Sequence, residues 1–148
     1  MREIKFRGLL QSGVFIFGSY VTDGKDYHAI LRENPNDSSE MLNTPVIPES
    51  VGQFTGLQDK NGVDIYVGDI VTSHQFLFDG NEVESIIFGV IASNDFGWTL
   101  GRIKNKFYED YTGYEPSEGE TNLGDFYGLH EESFEVIGNI HQNPELIK

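Results

Sequence analysis

Hydrophobic and polar residues alternate at the start of the chain. In Glu3-Ile4-Lys5-Phe6-Arg7 the two apolar side chains fall on one face and the three charged ones on the other, the period of a half-buried strand. A turn signal at Gln11-Ser12-Gly13 leads into "VFIFGSYV", rich in β-branched and aromatic residues, and "YHAILRE" repeats that character after Asp23-Gly24-Lys25. A meander of strands is the simplest account. From Asn34 to Asn43 the residues turn to Asn, Pro, Asp and Ser, which predicts a surface loop, and Pro45 and Pro48 keep the next stretch from being helical.

Further on, "GDIVTSHQFLF" and "EVESIIFGVIASN" read as two strands joined around Asp79-Gly80-Asn81, and "GWTLGRI" as a third. The segment from Tyr108 to Gly124 is acidic and turn-rich, which predicts a long loop. "SFEVIGNI" is a strand again, and in "NPELI" Asn143 is placed to cap one helical turn with Pro144 at its first position. Apolar residues nowhere recur at helical spacing over three turns. Seven or so short strands with little helix predict a mainly β fold, a small barrel or sandwich.

Composition narrows the functional classes. At 148 residues the chain is the size of a single domain with one core, and 11 Phe, 7 Tyr and 1 Trp offset a hydrophobic fraction of only 38%. The absence of cysteine excludes disulfides, Cys-based zinc sites and a thiol nucleophile. With no signal-type apolar region and no stretch long enough to span a bilayer, a cytoplasmic protein is expected. The 24 acidic side chains against 10 basic ones give a net charge of −14, the opposite of what a phosphate backbone attracts. Between Phe107 and Ile147 there is no Lys or Arg. Such an acidic surface serves solubility, or it meets a basic partner.

The most patterned segment is "VGQFTGLQDKNGVDIYVGDIV", Val51 to Val71. Asn61-Gly62 supplies the residues of a tight reversal, Asp59 is placed to hydrogen-bond the turn backbone, and Gly68-Asp69 makes a second corner before Ile70 and Val71. These five residues are expected to serve folding, with Gly68 at positive φ. A calcium loop is excluded: with Asp59 first, Gly62 falls fourth instead of sixth, and with Gly62 sixth, Leu57 and Gly68 would have to be ligands. A Gly-Asp pair entering a strand ahead of an apolar hairpin such as "FGVIA" is common at the start of SH3-like barrels.

Three segments in this order, "IKFRG", "VGQFTGLQDKNGVDIYVGDIV" and "FEVIGNIHQNPELI", resemble the YopX family and frame nearly the whole chain as one YopX-like domain. The resemblance implies a protein of bacteriophages and prophages, with a mainly β fold built on a small SH3-like barrel with additional strands and long loops. It carries over no catalytic residue and no cofactor.

No catalytic or metal-binding constellation stands out. His28, His74, His130 and His141 lie far apart, and no nucleophile elbow, phosphate loop or dinucleotide fingerprint is present. Tyr108, Tyr111, Tyr114, Phe126 and Tyr127 stand among carboxylates, and they either cover the open end of a barrel or form a surface for an Arg- or Lys-rich partner. The expectation is a non-enzymatic interaction module acting on a host or phage protein, with self-association through strand edges left open. The alternatives are an enzyme with a carboxylate or metal-assisted site in a barrel cleft, and a nucleic-acid-associated protein that uses its basic N-terminal face.

Overall fold

The computed structural model describes residues 3–76, 82–94, 97–102, 120–122 and 134–147. Its strands are β1 (Phe6–Leu9), β2 (Phe15–Thr22), β3 (His28–Asn34), β4 (Asp37–Pro45), β5 (Gly52–Gln58), β6 (Asp64–Tyr66), β7 (Asp69–Phe76), β8 (Glu82–Asn94), β9 (Gly97–Arg102), β10 (Glu120–Asn122) and β11 (Phe134–Asn139). Short 3-10 turns at Pro48–Ser50 and Pro144–Ile147 are the helical content among the described residues. A six-stranded sheet has the order β4-β3-β2-β1-β5-β6 and a five-stranded sheet the order β10-β9-β8-β7-β11. The fold is mainly β, with two antiparallel sheets, and neither sheet closes into a barrel among the described residues. The chain divides into two compact units, 1–56 and 57–148, with the boundary inside β5.

In the first unit β1 to β3 form the meander that the sequence predicts, and β4 extends it. Tyr20 lies opposite Ile30 and Ile30 opposite Thr44, so one row crosses three strands. Ile16, Ile30 and Val46 form the buried cluster, with Phe6, Leu10 and Val51 packed against it. Two glycines are set by close approach. A Cβ on Gly8 would come 2.7 Å from the Val46 side chain, and one on Gly18 would run into the Leu31 carbonyl oxygen.

The second unit has its own cluster, Ile65, Val71, Ile91, Leu100 and Phe134, with Leu57 and Val136 beside it. The register explains the grouping: Val136 lies opposite Val71 and Ile91 opposite Leu100. Gly89 leaves room for Leu100, since a Cβ there would come 2.7 Å from its side chain. Asp69, Ile70, Val71 and Thr72 are all buried, so β7 starts with both faces covered.

The structure corrects four local expectations. The predicted loop at Asn34–Asn43 is largely strand β4, whose residues are exposed apart from half-buried Leu42 and Thr44, so it carries no alternating pattern. Within the predicted loop at 108–124, Glu120–Asn122 pairs with β9 as β10. The sequence presents Val51–Gln58 only as part of a turn-rich motif, yet Gly52–Gln58 is strand β5. Asn143 does precede a turn beginning at Pro144, but its side chain reaches back to accept from the Asn139 N–H at 3.2 Å. The hairpin turn expected at Asp79-Gly80-Asn81 lies outside the described residues, although the flanking strands pair as far as Phe76 and Glu82.

The close approach at Gly18 gives a direct test of the β2–β3 register. Gly18→Ala places a methyl against a backbone oxygen that cannot swing away, so a loss of about 1–3 kcal/mol is expected in thermal or urea unfolding. Unfolding at the parental midpoint would show that the two strands can separate there without cost.

Candidate functional site

The patterned central segment folds as two successive corners. The first runs from Asp59 to Val63 between β5 and β6, closed by the Asp59 N–H donating to the Val63 carbonyl at 2.8 Å and the Gly62 N–H to the Asp59 carbonyl at 3.0 Å. Gly62 has φ +80, a conformation that side-chain-bearing residues resist. The second corner joins β6 to β7, with Gly68 at φ +97. There the buried Asp69 carboxylate accepts from the Tyr66 N–H at 2.8 Å, while the Gly68 N–H donates to Ile91 and its carbonyl accepts from Ile140.

Asp59 does more than close its own turn. One carboxylate oxygen accepts from the Asn61 and Val63 N–H groups at 2.8 and 2.9 Å, and the other accepts from the Val136 N–H at 3.0 Å, 77 residues away. Lys60 continues the junction: its N–H donates to the Phe134 carbonyl at 2.9 Å, and its ammonium lies 3.4 Å from Glu135. The turn thereby covers main-chain groups on an outer strand of the five-stranded sheet. Burial pushes the Asp59 carboxyl up, but the N–H groups of Val136, Val63 and Asn61, with the Lys60 charge, hold it below its ordinary value. Asp23 shows what the turn alone supplies. Its carboxylate takes the same local pair, from Lys25 and Tyr27 at 2.8 and 3.0 Å, on an exposed turn.

His28 sits where β2 and β3 meet their turn. Its Nδ1 accepts from the Tyr20 hydroxyl at 2.5 Å and its Nε2–H donates to the Lys25 carbonyl at 3.0 Å, so both ring nitrogens are engaged in the fold. Among the described residues, no group of three or more His, Asp or Glu is arranged to hold a metal ion. None of their helices is long and apolar enough to cross a membrane.

Among the described residues, the surface feature that stands out lies on the first unit. Alternate residues of β2 to β4 line a shallow groove of about 580 Å³ with Phe15, Phe17, Leu31 and Met41, joined by Arg32 and Glu33. An antiparallel sheet with one face on a core ordinarily turns polar residues outward, yet here Phe17 is 51% and Met41 56% exposed. Exposure is greatest at Phe17 on β2 and Met41 on β4, with Leu31 between them half-buried. On β1 the residues opposite Phe17 and Phe15, Arg7 and Leu9, are buried, with the Arg7 guanidinium 4.4 Å above the Phe15 ring. Sequence reasoning passed over this face because "VFIFGSYV" is apolar on both of its alternating sides and so gives no signal of which side is covered.

Of the residues singled out in the sequence, Asp59, Asn61 and Gly62 come together in one corner and Gly68 and Asp69 in the next. Tyr108, Tyr111, Tyr114, Phe126 and Tyr127 lie outside the described residues, as does His130. A family model described as "YopX protein" matches residues 17–148. Among solved structures, the chain is similar to protein EF1440 from Enterococcus faecalis at 20% identity, with all of both chains covered and a TM-score of 0.52, a likeness of fold. No curated protein matches.

Two substitutions separate a folding role of the corners from a chemical one. Asp59→Ala removes the acceptor for three N–H groups and should cost on the order of 3 kcal/mol, whereas Asp59→Asn keeps an oxygen for the turn but faces the Val136 N–H with an amide donor. Because the folded-state carboxyl lies below its ordinary value, this stabilisation is full above about pH 4 and is lost as pH falls through the folded value. The difference between parent and Asp59→Ala in urea melts should therefore shrink with acidification. Gly68→Val should cost about 1–3 kcal/mol through backbone strain. Parental melting of both Asp59→Ala and Gly68→Val, alongside loss of a specific binding or catalytic activity, would make the segment a functional site.

Proposed function

The chain is a member of the YopX family, and we propose that it is a phage- or prophage-encoded accessory protein acting as a non-enzymatic protein-interaction module in the cytoplasm of a bacterial host. The observation that carries this reading is the apolar outer face of β2 to β4, where Phe17 and Met41 stand exposed over a groove too open to enclose a reacting molecule. Phe17 and Met41 left exposed beside Arg32 and Glu33, on a chain of net charge −14, are features that solubility alone does not explain. The charge supports a protein partner over nucleic acid, and a basic one over an acidic one.

In the same reading the second unit is an SH3-like barrel to which the first unit is added. What supports this is the strand order, in which β11 lies beside β7 while β7 to β10 run as a meander, so that the fifth strand neighbours the first. The module then carries its docking face on the added unit.

The test is affinity purification from host cells with the parent and with a Phe17→Ser/Met41→Ser double variant, both side chains being exposed enough for the fold to survive. A specific protein recovered by the parent and lost by an equally stable variant is expected. Identical recoveries, or a turnover activity that needs no protein partner, would overturn the proposal.

A further inference from the structure

Asn61-Gly62 is the one Asn-Gly pair in the chain, and such a pair has a chemistry of its own. A backbone nitrogen that follows asparagine can attack the side-chain amide carbon, and glycine, with no Cβ to crowd the approach, hinders this least. Both residues are exposed at the tip of the first corner, and a Cβ added to Gly62 would meet nothing within 4 Å, so water reaches the reacting atoms. By sequence and exposure alone the site is a fast one.

The hydrogen bonds of the corner oppose that. The nucleophile is the Gly62 nitrogen, and its hydrogen is donated to the Asp59 carbonyl at 3.0 Å. On either side the Asn61 and Val63 N–H groups are held by one Asp59 carboxylate oxygen at 2.8 and 2.9 Å, and the Asp59 N–H closes on the Val63 carbonyl at 2.8 Å. Attack requires the Gly62 nitrogen to lose its proton and turn towards the Asn61 side chain, so these bonds must first give way. Asp59 is itself only 5% exposed and accepts from the Val136 N–H, so opening the corner disturbs a group anchored on β11.

We propose that Asn61 is a site of spontaneous deamidation whose rate is set by the opening of the Asp59 corner. In the step, the Gly62 nitrogen gives its proton to hydroxide and bonds to the Asn61 amide carbon, the bond from that carbon to the side-chain nitrogen breaks, and ammonia leaves with a proton taken from water. The ring formed is a succinimide. Water then opens it at either carbonyl, leaving an aspartyl linkage or an isoaspartyl one in which the main chain runs through the former side chain. Either product adds a negative charge beside the Asp59 carboxylate, and the isoaspartyl form lengthens the turn backbone by a methylene. Conversion is one-way, and a converted chain holds the Val136 N–H less firmly.

The test follows the whole chain at about pH 8, where the Asp59 carboxylate is ionised and the corner is at full strength. Peptide mapping by mass spectrometry reads conversion at position 61, and isoaspartyl methyltransferase labelling is the second readout. Rates are compared for the folded parent, the parent in urea past its midpoint, and the peptide QDKNGVD in both solvents. The folded parent should convert roughly tenfold or more slowly than the unfolded chain and the peptide, because only the opened corner reacts. Asp59→Asn, which faces the Val136 N–H with an amide donor, should convert faster than the parent while still folded, with the Gly62 amide exchanging faster in step. A folded parent as fast as the peptide would overturn the inference, because the corner would gate nothing. An unfolded chain that leaves position 61 intact would overturn it too, because there would be no site. A folded Asp59→Asn converting at the parental rate would show that Asp59 does not set the opening, and the inference falls. Should that variant not fold, urea concentrations below the parental midpoint decide the point: conversion rising together with Gly62 amide exchange upholds the inference, and conversion unmoved while exchange rises overturns it.

Discussion

One carboxylate holds together what the sequence keeps far apart. Asp59 shares its two oxygens between a local corner and the Val136 N–H, so the shape of the β5–β6 turn and the position of β11 are fixed by the same group. A neutral side chain would not do this as well. Three N–H donors converge on a buried site, and charge-assisted bonds are both stronger and better able to offset desolvation. The exposed Asp23 turn has the same local bonds, so the local geometry is the ordinary consequence of Asp at a turn. What is particular to Asp59 is the second oxygen.

That bond also settles an edge. β11 ends the five-stranded sheet, and an uncovered edge invites pairing with other chains. The Asp59 carboxylate and the Lys60 N–H take the Val136 N–H and the Phe134 carbonyl, which leaves less of that edge to template anything. At the far end of β11, Asn139 accepts from the N–H groups of His141 and Gln142, and Asn143 packs so closely over Gly138 that a Cβ there would come 2.6 Å from its oxygen. β4 is finished differently. Its register shift and Pro45 shorten the stretch available for pairing, where β11 is covered by the turn.

How much of this could be read in advance follows from which interactions are local. The corners at Asn61-Gly62 and Gly68-Asp69 were legible because Gly, Asn and Asp are chosen by backbone angles within a few residues. β4 was not, because an exposed outer strand needs no apolar stripe and Asn, Asp and Ser were read as loop. β5 was masked by Gly52 and Gly56, the latter at φ +83 inside the strand. The reach from Asp59 to Val136 leaves no trace in either segment alone. The apolar outer face escaped for a related reason: periodicity marks two faces of a strand and is silent on which one the rest of the chain covers.

The three segments that resemble the YopX family are also the ones the fold brings into register. Phe6 and Arg7 of the first lie opposite Gln53 and Gly52 at the start of the second, and the end of the second is bonded to the third through Asp59, Lys60 and Gly68. The second and third of these segments fall inside the matched residues 17–148, and both lie where strands meet, in turns and close approaches that tolerate few residue types. That explains how a match over residues 17–148 can establish membership without naming a reaction. The outer face of β2 to β4 bears on neither buried cluster through Phe17 or Met41, so the corners and the two clusters hold the fold without it.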